Sequence, residues 1–275
     1  MGSPDYAIPT LESLYGVASS RLLGVVTQPS RPKGRGLNLQ STPVYDWAIQ
    51  HHIPVWTPAT KDALADLVMA NMPTLVVVIA YGMILPKQIV DSFMCVNLHG
   101  SLLPAYRGAS PVQAALLNGD SHTGVTLIHM NDRMDQGPVL AIKKVPILPS
   151  DCFGTLFHTL SHMSASLCVD FLDNATACDF QARPQVEGEA TYCKKLSGLD
   201  FELNPSEDSP ELMWRKIRAF SPKPGAFLIQ NGRRIKILEA SLSQDRLVPI
   251  CIQPEGKKPM TYDQYLRGQS QAIEL

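Results

Sequence analysis

TLVVVIAYG, residues 74–82, runs apolar from Leu75 to Tyr81 and stops at a glycine. A strand with one wet face alternates apolar and polar residues. A run without that alternation reads as a strand covered on both faces, the setting of a parallel sheet flanked by helices. The neighbouring segments fit. DALADLVMANM (62–72) and PKQIVDSF (86–93) read as helices, and MCVNLHG (94–100) as the next strand. Further out, RLLGVVTQP (21–29) and IPVWTP (53–58) read as strands around a helix at 42–52. SPVQAALLNGD (110–120) reads as a helix opened by a Ser-Pro cap. Strands and helices alternate to about residue 182, which predicts an α/β fold, a Rossmann-like doubly wound parallel sheet.

The pattern changes at both ends. Gly2 to Tyr6 reads as the turn and helix start that follow a first parallel strand, yet no strand stands ahead of it. The sheet is therefore expected to lack its opening strand. GVTLIHMND and GPVLAIKKVPI predict an antiparallel pair, followed by a long helix over roughly 151–177. Residues 183–199 read as an irregular linker. ELMWRKIRAF then reads as a helix, and GAFLIQ and RRIKILEA, joined by Asn231-Gly232, as a hairpin. The expected domains are 1–182 and 200–275, the second small, β-rich and with room for about three strands.

A chain of 275 residues, 45% apolar and 18% charged, has enough apolar side chain for a full core, which excludes a disordered or fibrous class. The start MGSPDYAIP has neither the basic nor the apolar block of a secretory signal. No apolar run approaches the roughly 20 residues that span a bilayer, so a cytoplasmic protein is expected, away from membranes. Cys95, Cys152, Cys168, Cys178, Cys193 and Cys251 show no C-x-x-C spacing and are expected as free thiols. His158 and His162 stand at i, i+4 without the glutamate of H-E-x-x-H, so no metal is expected there. The net charge of −1 decides nothing, but its distribution is informative. Arg31, Lys33 and Arg35 cluster, and residues 212–238 hold seven basic side chains and no acid. Such patches steer phosphate backbones. A solvated face is the equal alternative.

Chemistry gathers in VNLHGSLLPAYRG, residues 96–108. Residues two apart on a strand share a face, so Asn97 and His99 project together. They do so at the C-terminal end of a strand, the edge at which open α/β sheets bind ligands. An amide and an imidazole side by side suit an oxygen that turns negative when a carbonyl is attacked. A buried, satisfied histidine beside an asparagine that caps the turn fits the same pattern. Asp135, in MDQG, is the candidate partner that would orient the ring, with Asp132 as the competing carboxylate.

VNLHGSLLPAYRGASPVQ (96–113) and GVTLIHMNDRMDQGPVL (124–140) together resemble the signature of the 10-formyltetrahydrofolate-dependent formyltransferases. The resemblance implies Asn97, His99 and Asp135 as catalytic residues, with Ser101, Leu102, Leu103 and Pro104 as a loop against the folate. TQPSRPKGRG (27–36), VVIAYGMILP (77–86) and IRAFSPKPGAF (217–227) are similar to the branch of that family that formylates methionyl initiator tRNA. That likeness extends over nearly the whole chain. It implies that Tyr81, Gly82, Ile84 and Leu85 line the folate pocket and that Arg31, Lys33 and Arg35 meet the acceptor arm. It further implies a shortened OB-like C-terminal domain that binds the tRNA backbone through Arg215, Arg218 and Lys223. The donor would be 10-formyltetrahydrofolate, with no metal, and the protein a monomer.

On this reading the methionyl α-amine attacks the formyl carbon, Asn97 and protonated His99 hold the developing oxyanion, and Asp135 keeps the ring charged and takes the amine proton through water. Two rivals share the catalytic residues: a sibling enzyme acting on a sugar nucleotide or glycinamide ribonucleotide, and a folate- or tRNA-binding remnant without activity.

Overall fold

The computed structural model describes residues 1–33, 38–175, 181–267, 272, 273 and 275. The first elements are α1 (Ile8–Ala18), β1 (Val25–Val26), β2 (Arg31–Lys33), β3 (Asn38–Gln40), α2 (Pro43–Gln50) and β4 (Val55–Trp56). Then come α3 (Lys61–Asn71), β5 (Leu75–Val78), α4 (Lys87–Ser92), β6 (Met94–His99), β7 (Arg107–Gly108) and α5 (Pro111–Asn118). β8 (His122–His129), β9 (Val139–Pro146), α6 (Phe153–Ala175), β10 (Tyr192–Cys193) and α7 (Pro210–Phe220) follow. The chain ends with β11 (Ala226–Gln230), β12 (Arg233–Ser243), β13 (Arg246–Pro254), β14 (Met260–Thr261) and α8 (Tyr262–Leu266).

The chain packs as two units. One holds residues 1–108, 124–145 and 158–192, and the other holds 109–123, 146–157 and 193–275. The sequence reading divides the chain once, at 183–199. Packing divides it several times, because α5 lies against α7 and because residues 158–192 stay with the first unit.

In the first unit β1 and β4 pair in parallel, as do β5 and β6, while β8 runs antiparallel to β6 and β9 lies beyond it. Met1 and Gly2 stand between β1 and β5. The Gly2 N–H donates to the Val26 carbonyl at 3.0 Å, and the Ile79 N–H donates to the Met1 carbonyl at 2.9 Å. Gly2 pairs in parallel with Ile79. The place of the opening strand is thus held by a single bridge. Glycine is required there, since a Cβ would fall 2.8 Å from the Ala7 side chain and 2.9 Å from the Ile79 carbonyl. Beside this bridge lies a cavity of about 720 Å³, lined among others by Leu22, Gly24, Val26, Leu75, Val77 and Met94.

The apolar run behaves as its composition dictates. Val76 and Val78 bury with Leu64, Ala65 and Val68 of α3, Ile89 of α4, and Tyr81 and Leu85. Each fully buried aliphatic side chain contributes about 1.5–3 kcal/mol. The helices begin where threonine precedes them: Thr42 and Thr60 side chains accept from the Tyr45 and Ala63 N–H groups.

The second unit carries an antiparallel sheet in the order β11-β12-β13-β14, four strands where the sequence left room for about three. Asn231 and Gly232 turn the β11–β12 hairpin with φ of 52° and 72°, the left-handed pair such a turn demands. Met213, Ile217 and Phe220 form the buried face of α7, whose start is capped by Ser209. Among the described residues, no helix is long and apolar enough to cross a membrane. Cys95, Cys152, Cys168, Cys193 and Cys251 are free thiols, and Cys178 lies outside the described residues.

Candidate active site

β6 delivers Asn97 and His99 to its C-terminal end, where β8 runs alongside with Ile128 and Thr126 opposite them. The turn after β8 brings Asp135 to the same place. Its Oδ1 accepts from Asn97 Nδ2 at 3.2 Å, and its Oδ2 accepts from the Gly108 N–H at 2.9 Å. That second oxygen lies 3.5 Å from His99 Nδ1. The other ring nitrogen, Nε2, donates to the Tyr106 carbonyl at 2.8 Å, which fixes a hydrogen on it. The His99 and Asp135 side chains are only 7% and 12% exposed. Water reaches such a pair only at its rim. Asp132, the competing carboxylate, is exposed outside this cluster.

The turn that carries Asp135 is tight. Asp135 itself takes φ of 56°, in the left-handed region. A Cβ on Gly137 would sit 1.8 Å from the His129 carbonyl, so the return of the chain onto β8 requires glycine.

The loop after β6 is pinned to β8. Thr126 Oγ1 donates to the Ser101 carbonyl at 2.7 Å and accepts from the Leu103 N–H at 3.0 Å. Ser101 Oγ donates to the Ala105 carbonyl at 2.6 Å. Ser101 and Leu103 are therefore buried, and Leu102 and Pro104 half-buried. Of the other residues assigned to folate, Tyr81 and Leu85 belong to the core beneath the sheet end, while Gly82 and Ile84 are exposed. The Tyr81 hydroxyl has no hydrogen-bond partner among the described residues, and burial pushes its pKa up to about 12.

The basic residues divide. Arg31 lies on the exposed hairpin of β2 and β3, its guanidinium donating to Gln28 Oε1 at 3.1 Å. Lys33 ends β2, and Arg35 lies outside the described residues. Arg215 pairs with Glu211 and donates to the Asn118 carbonyl at 3.0 Å. Arg218 donates to the Asp151 and Leu148 carbonyls at 2.7 and 2.6 Å and stacks on Trp214. Both arginines are engaged within their own unit, whereas Lys223 is exposed in the turn after α7. His158 and His162 face each other across one turn of α6, their Nε2 atoms 3.3 Å apart.

Sequence reasoning missed the residues that brace the site. Arg107 is fully buried, and Gln185, Glu187 and Tyr192, read as linker, supply its partners. An arginine inside the quoted 96–108 stretch was the available signal.

Comparison with known proteins identifies the family of the chain. The formyl transferase family model matches residues 11–172, and the model of the formyl transferase C-terminal domain matches 200–249. The chain is 36% identical over 300 residues to methionyl-tRNA formyltransferase of Pseudoalteromonas translucida, covering 98% of this chain and 92% of the relative. The methionyl-tRNA formyltransferase structure from Clostridium thermocellum superposes with a TM-score of 0.58 at 20% identity, over 85% of this chain and 99% of that one. The Helicobacter canadensis N-formyltransferase, in complex with folinic acid and dTDP-3-aminofucose, gives a TM-score of 0.70 at 17% identity, over 94% and 96% of the two chains. With both models matched in order and a curated relative aligned nearly end to end, the chain belongs to the formyl transferase family.

Proposed function

We propose that the chain transfers a formyl group from 10-formyltetrahydrofolate to the α-amino group of methionyl initiator tRNA, with Asn97, His99 and Asp135 as its catalytic residues. The observation that carries the reading is the meeting of Asn97 and His99 with Asp135, 38 residues beyond Asn97, at the sheet edge. The name shared by the curated relatives supplies the acceptor. The folate species in related structures supports the donor.

Asn97 has a second amide hydrogen beyond the one it gives Asp135, and offers it to the formyl oxygen as the amine adds to the formyl carbon. His99 becomes the second donor by exchanging the Tyr106 carbonyl for that oxygen. Asp135 orients the ring and receives the proton the amine loses, through water. Collapse of the tetrahedral adduct then breaks the bond from the formyl carbon to the folate nitrogen, which recovers a proton. Removing one oxyanion donor typically costs about 10²–10³ in rate. The exposed basic hairpin and Lys223 would meet the phosphate backbone.

The structural likeness to enzymes that formylate sugar nucleotides favours one rival acceptor class. Formyl transfer measured with methionyl initiator tRNA, a dTDP-amino sugar and glycinamide ribonucleotide separates them. Turnover with the tRNA alone is expected, and preferential turnover of either small amine would overturn the assignment.

A further inference from the structure

The segment 183–192 crosses the site as a brace. The Arg107 and Tyr106 N–H groups donate to the Thr191 carbonyl and side chain, both at 2.9 Å. The Arg107 guanidinium lies beneath, 0% exposed, doubly bonded to the Glu187 carboxylate at 2.8 and 2.9 Å. Its Nε and Nη2 both donate to Gln185 Oε1, at 3.0 and 2.9 Å. Gln185 turns its other end to the catalytic turn: Nε2 donates to the Asp135 carbonyl at 2.8 Å and to the Gly137 carbonyl at 2.7 Å. Its orientation is unambiguous, because the oxygen faces only donors and the nitrogen only acceptors.

We infer that Gln185 is a positioning residue for catalysis: anchored on Arg107, it grips the backbone of Asp135 and sets where that carboxylate stands between Asn97 and His99. The inference rests on the catalytic assignment above. Three observations converge on it. Asp135 occupies a left-handed backbone conformation, which persists only where its surroundings over-determine it. The turn has no slack at Gly137, so the backbone and the carboxylate move together. Arg107 lies one residue before Gly108, whose N–H holds the other side of the same carboxylate. The brace therefore holds Asp135 through its main chain and through its side chain at once. A displacement near 1 Å in such a group costs up to about 10²-fold in rate.

The discriminating variant is Gln185→Glu. A carboxylate still accepts from Arg107, so the anchor survives, but it gives nothing to the two carbonyls and repels them. Steady-state kinetics and thermal unfolding would be measured for Gln185→Glu, Asp135→Ala and the double variant, with the pH profile of kcat for the first. The expected result is a protein that still unfolds cooperatively, at a modestly lower temperature, with near-native KM for both substrates and kcat for Gln185→Glu lowered by roughly tenfold or more. Its pH profile should be displaced, since the ring and carboxylate no longer hold their native separation. The double variant should be no slower than Asp135→Ala, because residues acting as a unit are not additive. Full kcat in Gln185→Glu, or a further multiplied loss in the double variant, would overturn the inference. Full activity in Asp135→Ala alone would instead overturn the catalytic assignment, so the two failures are told apart.

Discussion

Asp135 answers to three groups at once, an amide on one oxygen and a main-chain N–H and an imidazole on the other. No single partner fixes a carboxylate so fully, and the arrangement explains why a polar cluster is retained under limited exposure. Two thiols in the core are held unreactive. Cys95 and Cys168 are fully buried, and burial pushes their thiols up to about 11 and about 12. At pH 8 the reactive thiolate is therefore scarce, on the order of 10⁻³ or less of the Cys95 population. Iodoacetamide at pH 8, followed by peptide mapping, should label the half-buried Cys152, Cys193 and Cys251 first and spare Cys95 and Cys168 until the protein unfolds. Labelling of Cys95 at the rate of Cys152 in the folded protein would contradict the packing of β6 against α4.

At the scale of elements, the hairpin from β8 to β9 carries the turn that holds Asp135, and Gly137 governs its closure. Gly137→Ala places a methyl group against the His129 carbonyl. Overpacking of this kind typically costs about 1–3 kcal/mol, and here relief of the clash moves Asp135 as well. Urea unfolding should show the loss of stability, and kcat should fall with it; unchanged values of both would mean the turn has room the structure denies. The elements themselves were legible because each is written in local pattern: the unbroken apolar run of β5, the Ser-Pro start of α5, Asn231-Gly232 between β11 and β12. The brace was not, because its logic is long-range. Arg107 and Gln185 are 78 residues apart, and a lone Gln in a Pro- and Glu-containing stretch looks like linker. The partners of the basic run at 212–238 were hidden for a related reason. Its acids lie just outside it, Glu211 for Arg215 and Asp208 for Lys216, and Arg218 finds carbonyls 67 and 70 residues away.

At the scale of the whole molecule, a parallel-containing sheet supplies a rigid edge, and Asn97 and His99 stand at the end of its strand β6. Asn97, His99 and Asp135 all lie within the first unit, while the second holds its antiparallel sheet and the amphipathic α7. The pairing of Asn97 with His99 on one strand face was readable from their spacing. For their partner the sequence left a choice between two carboxylates, and Asp135 is the one that stands beside both. Single-turnover formyl transfer to methionyl initiator tRNA by Asn97→Ala, at saturating 10-formyltetrahydrofolate and with folate binding measured in parallel, tests this account most directly. The account predicts a rate lower by about 10²–10³ with folate affinity retained; a rate within a few-fold of the unaltered protein would contradict it.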